Sequence, residues 1–264
     1  MLSIIEVDPA EAVLPASVTD WNSADWSRHF EHRAQTRPPL PFARGVHLTN
    51  DEQRDLLPSI AIFQRGESGE GRHFLRVAAV HAQHVGDAGY VTALQQFIAE
   101  ENMHAAMLGE YLDAYQFPRL TGEWTDNGFR RLRHLAGLET AITVLVTAEV
   151  IAMVYYAALR KASRCPVLKE LCEQVLDDEV FHLHFQGQRL GILQRRRGRL
   201  GRCVSSVVFT VLLDAAGRLV WGTHRAVFAR AEMSFAEYQH RLHRHGTMFQ
   251  EIVRGGQLGV GNGQ

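Results

Sequence analysis

Between about residues 50 and 195 the apolar residues recur at alternating steps of three and four, the period of a helix with one face turned to a core. Four stripes follow this rule. The first is Ile60, Phe63, Glu67, Glu70, Phe74, Val77, His81, and the second Tyr90, Leu94, Phe97, Glu101, His104, Leu108, Tyr111. The third is Leu135, Leu138, Ile142, Leu145, Glu149, Ala152, Tyr156, and the fourth Leu168, Cys172, Val175, Glu179, His182, Gln186. Turn signals separate them: Gly86-Asp87-Ala88-Gly89, Phe117-Pro118, and Ser163-Arg164-Cys165-Pro166. Thr49-Asn50-Asp51-Glu52 reads as a capping box opening the first helix. Ser234 to Glu237 reads as another, opening a last helix to about Val253. The pattern predicts an all-α fold built on a four-helix bundle.

Each stripe carries acid or imidazole near its middle, where a core-facing helix should be most apolar. Two of the interruptions are Glu-x-x-His: Glu101 with His104, and Glu179 with His182. Residues three apart share a helix face, so each motif aims a carboxylate and an imidazole at one point. Glu149 lies 30 residues before Glu179, and Glu70 lies 31 before Glu101. At ~1.5 Å rise per residue, two antiparallel helices joined at the turns above bring each lone Glu level with its motif. Glu67, one turn from Glu70, stays as an alternative or additional donor. Unpaired buried carboxylates are costly or become neutral. Four glutamates and two histidines converging on one core therefore require cations. Oxygen and nitrogen donors of this kind suit iron or manganese, iron being preferred.

The segment Ala99-Glu100-Glu101-Asn102-Met103-His104 resembles the AEENRH segment of acyl-carrier-protein desaturases, and Asp177-Asp178-Glu179-Val180-Phe181-His182 is similar to their DEKRH segment. The resemblance covers about residues 50–195 and is to the ferritin-like di-iron carboxylate superfamily, in its oxygen-activating branch. It implies two irons, with manganese as the other metal, held by Glu70, Glu101, His104, Glu149, Glu179 and His182. By the same resemblance Asp178 supports a metal-bound histidine from behind, plausibly His104. The implied activity is oxidation of a hydrophobic substrate with dioxygen and an external electron donor. The substrate would be an acyl chain, free or carrier-bound, to be desaturated or hydroxylated; N-oxygenation of an amine and ferritin-like iron oxidation or storage are the alternatives. A homodimer is among the assemblies it allows.

The chain has 264 residues, enough for one sizeable core, and its net charge of −1 gives no electrostatic case for nucleic acid or an anionic membrane. Cys165, Cys172 and Cys203 form no CxxC pair and read as free thiols of a cytoplasmic protein. The start MLSIIEVDPAEAVLP lacks a basic segment followed by a long apolar run. The apolar stretch Cys203 to Trp221 contains Asp214 and Arg218, so a buried helix or packing surface is expected instead of a membrane span. The arginines at 195, 196, 197 and 199 read as a solvated helix end, with a dock for an acidic carrier as the sharper reading. His240, His243 and His245 are expected to face solvent. The expected organisation is an irregular N-terminal arm over 1–48, packed on the bundle through Trp21, Trp26 and Phe30. The di-iron bundle follows over 49–198, C-terminal helices of the same domain over 199–254, and a disordered tail over 255–264.

Overall fold

The computed structural model describes residues 16–68, 71–120 and 137–258. Among the described residues every regular element is helical: α1 Ser23–Thr36, α2 Asn50–Glu67, α3 Arg72–Val85, α4 Ala88–Ala114, α5 Leu138–Ala162, α6 Pro166–Gln194, α7 Arg199–Thr223, α8 Arg225–Arg230 and α9 Phe235–Leu258, with 3₁₀ turns at Ala16–Asp20 and Phe42–Arg44.

Most boundaries lie where local chemistry puts them. Thr49 and Glu52 form the reciprocal capping box at the start of α2. Gly86 closes α3 in the left-handed conformation at φ 72°, and the Asp87 side chain caps α4 by accepting from the Tyr90 N–H. Pro166 opens α6 in its first turn. The first stripe, however, is not one helix. α2 stops at Glu67 and α3 begins after Gly71, whose φ is 58° and whose missing Cβ would lie 2.5 Å from the Ile98 side chain. Only glycine suits both the dihedral and the approach.

Residues 16–48, the described part of the segment expected to be an irregular arm, include a helix. Asn22 and Asp25 make a capping box, and α1 runs from Ser23 to Thr36 before Pro38 and Pro39 end it. Its inner face, at positions 26, 30, 33 and 37, has helical spacing. Trp26 and Phe30 are buried, with the Trp26 ring N–H donating to Gln188 Oε1 at 2.8 Å. Phe30 meets the rings of Phe97, His182 and Phe185.

α5 and α6 pack along one another, α4 packs on α1, α2 and α3, and α9 covers α6. α5 is apolar almost all round because it is buried almost all round. α7 lies against α5 and α9 but is mostly exposed, so the buried-helix expectation for Cys203 to Trp221 fails. α9 continues through Gly255 to Leu258, within the stretch expected to be a disordered tail; residues 259–264 lie outside the described set. His245 is buried on the inner face of α9, whereas His240 and His243 are exposed as expected.

Phe30→Ala should therefore cost about 3–5 kcal/mol in denaturant unfolding, as loss of a core phenylalanine does. An arm lying loosely on the surface would give a change near zero.

Candidate metal centre

Glu101 and His104 come from the middle of α4, Glu149 from α5, Glu179 and His182 from α6, and Glu67 from the last residue of α2. One donor atom each from Glu101, Glu149, Glu179 and His182 lies within 4.8 Å of the others. The same holds for Glu67, Glu101 and His104. The two groups share Glu101. Five of the six ligands expected from the sequence are thus brought together. The sixth, Glu70, lies outside the described residues, and Glu67 is the carboxylate that α2 delivers to the cluster.

Inside the cluster, His182 Nδ1 is 2.9 Å from Glu101 Oε1, 3.4 Å from Glu179 Oε2 and 3.9 Å from Glu149 Oε2. His104 Nδ1 is 3.9 Å from both Glu101 Oε1 and Glu179 Oε1. Donors bound to one ion at about 2.1 Å are separated by distances of this order. Glu101 Oε1, Glu149 Oε1, both Glu179 oxygens and the Nδ1 atoms of His104 and His182 are buried without an aligned hydrogen-bond partner among the described residues. Orphaned polar atoms seldom coexist in a protein interior, and here they all face each other.

Behind the histidines the picture reverses, because both ring Nε2 atoms meet carboxylates; Arg37 Nη1 is the buried nitrogen there without a partner among the described residues. His104 Nε2 contacts Asp178 Oδ2 at 3.0 Å, and His182 Nε2 contacts Glu100 Oε2 at 3.0 Å. Burial alone would raise both acids. The hydrogen bond and charge of His104, with Arg37 and Arg33, hold Asp178 well below the usual carboxylate range. Contact with His182 likewise keeps Glu100 low. Arg37 spans the two, 2.7 Å from Glu100 Oε1 and 2.6 Å from Asp178 Oδ2, and Arg33 Nε donates to Asp178 Oδ1 at 2.8 Å. Ionised carboxylates only accept, so each ring donates from Nε2. A neutral ring then presents the Nδ1 lone pair to the carboxylates in front, which is stable only if a proton or a metal stands between them.

Without a metal, protons fill that role. Burial, then the charges of Glu101 and Glu149, push the Glu67 carboxyl well above its ordinary range; burial and Glu149 do the same to Glu179. Burial disfavours the His182 cation, but Glu101 and Glu100 outweigh it and raise that ring well above its usual value. Burial works against the Glu149 charge, yet contacts with Glu179 and His182 bring this carboxyl below the ordinary range. The Tyr156 hydroxyl, raised by burial and by Glu67, keeps its proton and donates to Glu67 Oε1 at 2.7 Å. The buried Glu and His groups could therefore hold a metal ion, and their chemistry fits more than one. Four carboxylates carry a formal −4, which two divalent cations balance.

Asp178 stands behind His104 as the sequence reading expected. Glu100 went unrecognised, although it precedes Glu101 as Asp178 precedes Glu179. Arg33 and Arg37 were hidden in the segment read as irregular; their spacing from Trp26 and Phe30 was the available signal. Beside the cluster, Phe97 meets the His182 ring edge-on with centroids 4.6 Å apart, and Leu183 is fully buried. Phe181 points elsewhere, against His29 and Trp21. Gln186, one turn beyond His182, is fully buried with both amide atoms unpartnered among the described residues. Comparison of the chain with family models, curated proteins and solved structures finds no match.

Three outcomes are expected of this centre. Metal binding must displace the protons on Glu67, Glu179 and His182, so divalent-ion affinity should fall as pH is lowered and binding should release protons. Calorimetry in buffers of different ionisation enthalpy reads both. Metal content should drop in Glu67→Ala and stay unchanged in Glu70→Ala; the reverse would return the ligand of the first stripe to Glu70. Arg37→Ala, which leaves Asp178 and Glu100 without their shared cation, should destabilise the protein by about 3 kcal/mol and weaken metal binding about 10–100-fold.

Proposed function

We propose that the protein is a non-haem di-iron oxidoreductase that uses dioxygen to desaturate or hydroxylate a hydrophobic substrate, an acyl chain being the expected class. In this reading α2, α4, α5 and α6 form a ferritin-like four-helix bundle around the centre. The observation that carries it is the pair of overlapping donor groups joined through Glu101, each with one histidine backed by an ionised acid. Glu67, Glu101 and His104 would hold one iron, and Glu101, Glu149, Glu179 and His182 the other; manganese is the remaining option for such donors. When bound, the irons supply the redox equivalents and Lewis acidity that dioxygen activation requires.

The chain's own residues set the conditions for that chemistry. Asp178 and Glu100 fix the rotation and tautomer of the two rings, and Arg37 couples those two supports to each other. Tyr156 holds the Glu67 carboxylate in place by donating its proton. Phe97 and Phe30, with the apolar α5 face, exclude water from the histidine side. Gln186 offers an unused donor and acceptor to a polar atom of the substrate. Desaturation takes two hydrogens from the chain and reduces dioxygen to two waters with two electrons and two protons supplied externally. An electron-transfer protein or small reductant must therefore serve the site.

Anaerobic titration should bind two Fe(II) per chain, and oxygen should then produce a new near-ultraviolet absorption that Glu149→Ala and Glu179→Ala lack. Their helical circular dichroism should be retained, since removing one acid from an acidic cluster relieves repulsion in the metal-free protein. With reductant and long-chain acyl substrates, mass spectrometry should find products lighter by two hydrogens or heavier by one oxygen. Iron uptake far beyond two per chain, within a large cage, would favour the storage alternative.

A further inference from the structure

α7 lies outside the metal centre and contributes no donor to it. Its inner face is secured: Phe209, Leu213, Ala216 and Gly217 are buried, the Tyr238 hydroxyl donates to Gly217 O at 3.0 Å, and Ser206 donates to Gln250 at 2.8 Å. Its outer face is equally apolar. Among the described residues, six of the eleven exposed large hydrophobic side chains are on this helix: Leu200, Val204, Val207, Val208, Val211 and Leu219. Leu200 is 79% exposed, Val211 62% and Leu219 63%. A helix apolar on all sides is normally covered on all sides. The patch amounts to roughly 600 Å², the upper end of what a monomer leaves in water.

The stripe Leu200, Val204, Val208, Val211, Ala215, Leu219 has steps of 4, 4, 3, 4 and 4, and the sequence of steps reads the same in both directions. Reversing the helix about the midpoint between Phe209 and Thr210 therefore exchanges Leu200 with Leu219, Val204 with Ala215, and Val208 with Val211. A face that maps onto itself under reversal is self-complementary under a two-fold axis, which is what a symmetric dimer needs. The steps also match the ridge spacing of paired helices. Electrostatics selects the antiparallel arrangement. The exposed Arg196, Arg197 and Arg199 sit at the N-terminal end of α7, where they oppose its own dipole. Antiparallel pairing sets them beside the C-terminal carbonyl end of the second helix, with Arg218 the one arginine of that helix brought near them, whereas parallel pairing would stack all three on their own copies. Two such patches together give roughly 1,200 Å², where stable interfaces begin.

We propose that a second copy of this chain covers the outer face of α7, the two α7 helices packing antiparallel about a two-fold axis between Phe209 and Thr210. A membrane surface fits this face less well. The polar flanks of α7 carry serines, Thr210 and an Asp214 paired with His243 at 2.6 Å, and between Arg202 and Arg218 no basic residue lines either edge.

Light scattering on the size-fractionated full chain, at micromolar concentration, should give twice the 29.7 kDa chain mass. Val208→Glu/Val211→Glu should give a monomer with unchanged helical circular dichroism and metal content, since both side chains are exposed in the single chain. In a Cys203→Ser background, Leu200→Cys/Leu219→Cys should form a covalent dimer on mild oxidation, while Leu200→Cys alone should not. The two introduced thiols are ~28 Å apart along one helix and cannot join within it. A monomeric wild type, or a monomer that floats with vesicles of anionic phospholipid, overturns the proposal. Equal cross-linking by the single Leu200→Cys variant overturns the antiparallel arrangement.

Discussion

Everything near the centre of this protein follows from four carboxylates gathered in its core, Glu149 and Glu179 buried and Glu67 and Glu101 half-buried. An ionised glutamate in an apolar core is too costly to keep unless a cation or a proton meets it. Glu67, Glu101, Glu149 and Glu179 are brought so close that they cannot all be ionised together without a cation among them. Each of the two histidines in the cluster is turned outward through Nε2 to an acid that is itself ionised. The charge demand is thus passed forward onto whatever occupies the space between Nδ1 and the glutamates.

The same demand explains the N-terminal helix. Asp178 and Glu100 could support the histidines only if something balanced their own burial, and Arg37 and Arg33 from α1 do so. α1 is therefore more than packing. It places Phe30 against the His182 ring and two guanidinium groups behind the centre on consecutive turns of one face. The centre is a layered object: carboxylates and Nδ1 atoms inside, Nε2–acid pairs around them, and arginines closing the shell on one side. Apolar side chains from α4, α5 and α6 close it elsewhere.

The outermost layer has a different origin. α7 and α9 complete the burial of α5 and α6, and in doing so α7 spends only half of its apolar circumference. The metal centre makes no use of the other half, which is why it reads as a surface for association.

The sequence by itself determined the all-helical character and the two Glu-x-x-His faces. A 3.6-residue period broken by Glu-x-x-His at two positions fixes which faces look inward, since the rule linking spacing to face is local. The capping boxes at Thr49 and Asn22, the glycine at 86 and the proline at 166 fix where helices start and stop, again by local chemistry, although the signal at Asn22 was passed over because prolines and aromatic residues dominated that stretch. Tertiary structure decided the rest. That α2 delivers Glu67 to the cluster depends on where this helix ends, and α3 begins after Gly71, where Ile98 on another helix crowds the place a Cβ would take. That Glu100 supports His182, and that Arg37 joins Glu100 to Asp178, depends on α1, α4 and α6 meeting at one point. Such long-range pairings leave no periodic trace, because each is a single contact between residues 63 to 145 apart along the chain.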